Sequence, residues 1–124
     1  MPNTLLRHVI ILAILSSFTV FADELTHATQ KMCQKVRACS LAHAERQHFS
    51  SPDMKQFVES AIEGVCDMMT SQTRLAKQHG LYHEAVACLN ETLNMTCEQF
   101  EEGIDGPACT QLQQKALGLN KETR

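Results

Sequence analysis

Ala85-Val86-Ala87-Cys88-Leu89-Asn90-Glu91-Thr92-Leu93-Asn94-Met95-Thr96-Cys97-Glu98-Gln99-Phe100-Glu101-Glu102-Gly103-Ile104-Asp105-Gly106-Pro107-Ala108-Cys109 holds half of the six cysteines of the chain. Short helix signals alternate here with turn signals. Thr96-Cys97-Glu98-Gln99 reads as a capping box, with the Thr96 hydroxyl over the Gln99 amide and Gln99 reaching back. Asp105-Gly106-Pro107 reads as a turn that opens a last helix. If Cys88, Cys97 and Cys109 bond to one another or back to Cys33, Cys39 and Cys66, the segment is the clasp of a small helical domain.

The compartment follows from the amino terminus. Met1 to His8 carries Arg7 and His8 and no acid, Val9 to Phe21 is apolar except for Ser16, Ser17 and Thr19, and Val20-Phe21-Ala22 offers small or apolar residues to a signal peptidase. This order predicts a secretory signal peptide over 1–22, cleaved after Ala22. A run of thirteen residues falls short of the roughly 20 that a spanning helix needs. Nothing further along is apolar for long enough, so no transmembrane segment is expected in the mature chain. Asp23 to Arg124 then divides into a helical cysteine-rich domain, 23–118, and a polar tail, 119–124, expected to be disordered.

With Arg7 removed, ten Lys and Arg face fourteen Asp and Glu, a formal charge of −4. Nucleic acid is a poor partner for such a chain, because phosphate binding needs clustered cations. The densest basic group, Lys31, Lys35 and Arg37, reads as a solvated helix face. Six cysteines in a small exported chain read as three disulfides. Aromatic burial is scarce, with no Trp and one Tyr, and a domain of this size is marginal on its core alone. Closed zinc sites want cysteine pairs two to four residues apart, and thiol redox sites want Cys-x-x-Cys. Neither spacing occurs.

The first helix is expected over about Glu24 to Gln47, where Leu25, Ala28, Met32, Val36, Cys39 and His43 recur at helical spacing. The second follows Phe49-Ser50-Ser51-Pro52-Asp53, with Ser51 as cap and Pro52 in the first turn. Its Met54, Phe57, Val58, Ala61, Ile62, Val65, Met68, Met69 and Leu75 form one broad apolar face. Gly80 closes it as a left-handed cap, with Leu81 folded back. A third helix spans about Tyr82 to Leu93, a one- to two-turn helix ends at Gly103, and a last one runs from Pro107 to about Leu117 with Gly118 as its stop.

Cys33 and Cys39 cannot bond within one helix, since six residues rise by about 9 Å and a disulfide tolerates about 7 Å. Folding the first two helices back at the turn near Phe49 to Ser51 puts Cys33 and Cys66 at one height, so that pair is preferred. For the other four, Cys39–Cys97 with Cys88–Cys109 is the first choice and Cys39–Cys109 with Cys88–Cys97 the second.

Candidates for chemistry are few. His79 and His83 are four apart, as metal ligands on a helix would be, but Gly80 interrupts the helix and surface histidines at a turn are the plainer reading. His43 falls on the first helix's apolar stripe and reads as a core or edge histidine; with Glu45 and His48 it makes a weak metal candidate. Met32, Met68, Met69 and Met95 sit at similar heights in the proposed hairpin, where thioethers fill core gaps or line a site for copper(I) or an apolar ligand. No nucleophile elbow, zinc-protease motif or phosphate loop occurs, so neither catalysis nor a cofactor is expected. Asn90-Glu91-Thr92 and Asn94-Met95-Thr96 match the N-glycosylation pattern.

Leu75-Ala76-Lys77-Gln78-His79-Gly80-Leu81-Tyr82-His83-Glu84-Ala85, continuing to Leu93, resembles the inter-helix turn of a tetratricopeptide repeat, in which Gly, Tyr and Ala hold two antiparallel helices together. Such arrays need about three copies and there is one here, so the resemblance implies a tight hairpin at Gly80 and no peptide-binding activity. The cysteine spacing departs from that of saposin-like lipid binders. Cys88 to Cys97 matches a spacing of insect odorant-binding proteins, but their Cys-x3-Cys pair is missing. Ala87-Cys88-Leu89, Cys97 and Pro107-Ala108-Cys109 make the chain similar to small exported six-cysteine helical proteins of Gram-negative bacteria. The expectation is therefore an all-α, disulfide-stapled bundle of four to five helices, periplasmic or secreted, that binds a protein partner in the cell envelope or outside the cell. Carriage of a small apolar ligand or lipid is the first alternative, and handling of copper or zinc the second.

Overall fold

Asp23 and Ser51 start the two long helices of the computed structural model, which describes residues 23–122. The signal peptide expected over 1–22 lies outside the described residues. Helix α1, Glu24–Arg46, is capped by the Asp23 carboxylate, which accepts from the Thr26 amide at 2.8 Å. Helix α2, Pro52–Gln78, has Ser51 as its cap and Pro52 in its first turn, where a missing N–H costs nothing. Helix α3 spans Tyr82–Leu93, α4 spans Cys97–Glu101 and α5 spans Pro107–Glu122.

Cross-links between helices give the topology. On α1 and α2 the partners run in opposite senses: Asp23 with Lys77, Thr29 with Thr73, Cys33 with Cys66 and Arg37 with Glu59. On α1 and the α3–α4 segment they rise together: Leu25 with Tyr82, Lys35 with Leu93, Cys39 with Cys97 and Arg46 with Glu101. Helix α5 runs back along α3, with Glu91 meeting Ala108 and Glu84 meeting Lys115. The result is an up-down-up-down bundle in which α1 packs on α2 and α3, and α3 on α5. Helices α2 and α5 thereby face each other across a groove.

The core is thin. Leu25, Ala28, Met32, Val36 and Cys39 form the inner stripe of α1, met by Ile62, Ala85, Val86 and Cys109, and among the described residues only Leu25 and Cys39 of the larger side chains are fully buried. Three disulfides supply what bulk does not. Cys33–Cys66, Cys39–Cys97 and Cys88–Cys109 have Cα separations of 5.4, 5.3 and 4.4 Å, within the disulfide range. They close loops for which chain entropy assigns about 3 to 4 kcal/mol each. The buried Thr29 hydroxyl is satisfied within and across helices: it donates to the Leu25 carbonyl of its own helix at 2.8 Å and shares a 2.7 Å bond with Thr73 of α2.

The helix ends explain two differences from the sequence expectation. Helix α5 does not stop at Gly118 but continues to Glu122, so the tail expected to be disordered from 119 is helical as far as Glu122. Leu112, Ala116 and Leu119 are all half-buried and recur at helical spacing, and that stripe outweighs the roughly 1 kcal/mol penalty of an interior glycine. His43 leaves the buried stripe, which ends instead at Ala44. The imidazole lies outside against Glu101, its Nδ1 3.1 Å from the carboxylate. The cap at Gly80 has φ 71° and the Leu81 amide donates to the Ala76 carbonyl at 2.8 Å, a Schellman closure.

Candidate functional site

Helix α2 carries more apolar surface than the core takes up. Each residue turns the helix by about 100°, which separates its apolar residues into two rows. Val58, Ile62, Cys66, Met69, Thr73 and Ala76 turn inward and are buried or half-buried. The second row points about a third of a turn away, along Phe57, Ala61, Gly64, Met68 and Leu75. Phe57 is 69%, Met68 54% and Leu75 50% exposed, and Val65 beside them is 37% exposed. The one broad apolar face expected for this helix is thus part core and part surface. The cause lies in α1, whose stripe of Leu25, Ala28, Met32, Val36 and Cys39 is narrow and covers one row only.

Towards its C-terminal end the exposed row becomes one wall of the groove. Leu75, Ala76 and Leu81 face Leu112, Ala116 and Leu119 across a space of about 430 Å³. Gln72, His79, Gln113 and Asn120 stand at its polar edge. From Phe57 to Leu75 the row runs about 27 Å, eighteen steps of 1.5 Å, and ends in the groove. Surface of this kind marks a contact site for another molecule more often than a free face.

The methionines expected at one height part company. Met32 is buried and Met69 and Met95 are half-buried, but Met68 belongs to the exposed row. His79 is the C-cap of α2, and His83 is an exposed residue of the first turn of α3, its ring 5.4 Å edge-on from that of Tyr82. His48 holds φ 59° at the end of α1. Among the described residues no three His, Cys, Asp or Glu side chains converge as a metal site. Every cysteine in the described residues is in a disulfide, so none is available as a thiolate.

The charged groups that depart from their ordinary behaviour join helix ends. The Asp23 carboxyl is held down to about 2 by its bond with Lys77 and by the Thr26 amide. Glu84 is lowered by Lys115. At Glu101 desolvation pushes upward, yet bonds to His43 and Arg46 outweigh it and the carboxyl is lowered. None of these groups lies in the exposed row of α2. Sequence reasoning missed Glu91, whose carboxylate reaches from α3 to accept from the Ala108 and Cys109 amides at 3.0 and 3.2 Å, capping α5 from another helix. A Cβ at Gly106 would overlap that carboxylate. It also missed Lys35, which donates to the Leu93 and Met95 carbonyls at the end of α3.

These features define a disulfide-stapled all-α bundle with an apolar face left open on one long helix. No protein-family model, curated protein or solved structure matches the chain. Among the described residues no helix is long and apolar enough to cross a membrane.

Proposed function

We propose that this protein is an exported, non-catalytic interaction module, periplasmic or secreted, whose binding face is the outer row of α2. The observation that carries the reading is the exposure of Phe57, Met68 and Leu75 on one face of a helix pinned by Cys33–Cys66. A rigid helix presenting anchors at helical spacing is a standard way to engage a protein partner. The partner class is a protein, because the net charge, −3 for the whole chain and −4 without residues 1–22, disfavours nucleic acid. Disulfide bonding favours an oxidising compartment, and the kinship suggested with small exported six-cysteine proteins of Gram-negative bacteria is in keeping with that.

The test is site-specific photo-crosslinking in the producing cell. A photoreactive residue at Gln56 or Ser71, both beside the row, is expected to give discrete adducts of defined mass, whereas one at Gln34 or Ala38 on α1 gives none. Equal labelling from both helices, or no adduct from α2, overturns the reading. A second reading, carriage of a small apolar ligand, is favoured by the groove lined by Leu75, Leu112 and Leu119. It predicts that a hydrophobic dye binds stoichiometrically, is displaced by extracted lipid, and is lost in Leu112→Gln but retained in Phe57→Ser.

A further inference from the structure

We infer that the occupant of the α2 face is a second copy of the same chain, bound antiparallel across a two-fold axis between Glu63 and Gly64. This rests on the reading of that face as a binding surface and adds who binds it. The flank beside the apolar row is Asp53, Gln56, Ser60, Asp67, Ser71 and Arg74, at steps of three, four and seven residues that keep them on one side of the helix. In an antiparallel two-fold pair that flank meets its own copy in reverse order. Centred between Glu63 and Gly64, the reversal sets Asp53 opposite Arg74, Gln56 opposite Ser71 and Ser60 opposite Asp67. Each acid then faces a cation or a hydroxyl donor, and by symmetry every pair occurs twice. A parallel pair would instead turn this flank towards the other side of the partner's row, parting Asp53 from Arg74, so the charges select the antiparallel register.

The two terminal charges are available for this. Among the described residues Lys77 pairs with Asp23 and Arg37 with Glu59, whereas Asp53 and Arg74 enter no ion pair. The apolar row is graded in the same symmetric way. Ala61 and Gly64, both exposed, are small at the centre, Phe57 and Met68 with Leu75 are large on either side, and a Cβ at Gly64 would meet nothing within 4 Å. Small residues at a crossing let two helices approach closely, and Phe57 of one copy then lies over the Met68 to Leu75 segment of the other. One helix pair buries less than the roughly 1,200 Å² of a standard interface, so the dimer is weak, with a Kd on the order of 1–100 μM.

Sedimentation equilibrium on the oxidised chain between about 1 and 500 μM, the range set by that Kd, tests this. A concentration-dependent dimer is expected. Gly64→Arg should weaken it by at least about tenfold, the scale of a lost close contact, and leaves the protomer fold intact because nothing touches that position. Asp53→Arg or Arg74→Asp alone should weaken it roughly tenfold, since two pairs are lost per dimer and like charges replace them. The double variant Asp53→Arg/Arg74→Asp should restore it. Monomer throughout the range, a dimer indifferent to Gly64→Arg, or no rescue by the charge swap overturns the self-pairing. An α2 photo-adduct of a mass other than two copies also overturns it while leaving the interaction reading standing; absence of any α2 adduct removes both.

Discussion

His48 ends α1 in a conformation that L residues other than Asn and Asp rarely adopt. Its φ of 59° puts it at the left-handed position of a Schellman closure, with the Phe49 amide donating to the Ala44 carbonyl at 3.0 Å. Glycine holds that conformation without the Cβ clash, which costs about 1 kcal/mol. His48→Gly is therefore expected to raise stability by about that amount, read from the denaturation midpoint at unchanged slope. A decrease would mean that the imidazole itself is structurally engaged. Asp23 sets a pH response at the other end of α1. Its folded carboxyl is lowered from 3.8 to about 2, so its contribution is present above about pH 4 and is lost as pH falls through about 2. Amide exchange at Thr26 and Leu25 should accelerate over that window in the native chain. An Asp23→Asn variant with the same acid response would exclude this carboxyl as its source.

Among elements, α5 depends most on contacts from outside itself. Glu91 caps its first turn from α3, and loss of a cap costs roughly 0.5–2 kcal/mol. Glu91→Ala should lower stability by about that much, with early exchange confined to the amides of Ala108 and Cys109. At its other end the helix runs through Gly118 without need of glycine's freedom: the residue lies inside α5 and its Cβ would enter open space. Gly118→Ala should stabilise by about 0.5–1 kcal/mol, because the unfolded chain loses freedom that the helix never uses. If Gly118 were a left-handed stop, the same change would destabilise, so melting of this one variant decides where the helix ends. The turn at Gly80 and the capping box at Thr96 were legible in local sequence because both are made by neighbours a few residues apart. The Glu91 cap was not, since its two halves are seventeen residues apart.

For the whole molecule, covalent closure and apolar burial do not contribute equally everywhere. Cys39 is 1% exposed and its bond to Cys97 spans 58 residues, so it acts as core and as crosslink. Replacing both by Ala removes the longest loop closure and leaves a small void, at a cost of about 2–5 kcal/mol. Removing Cys33 and Cys66, which are only half-buried and close a loop of 33 residues, should cost less. Thermal melts of the two double variants should therefore rank Cys39/Cys97 below Cys33/Cys66. The reverse order would show that pinning α2 to α1 matters more than filling the centre.

Helical periodicity, caps and cysteine count were enough for an all-α bundle of four to five helices and their approximate bounds, because those signals lie within one or two turns of chain. The height argument for Cys33 and Cys66 also needed only the hairpin at Ser51. What tertiary packing alone decided is which apolar residues are left over. Periodicity reports that Phe57, Met68 and Leu75 belong to an apolar face, but how wide a face is covered depends on the breadth of the neighbour's stripe. On α1 that stripe is one residue wide per turn. His43 follows the same rule: its spacing matched the stripe of α1, yet the helix turned Ala44 inward and gave the imidazole to Glu101.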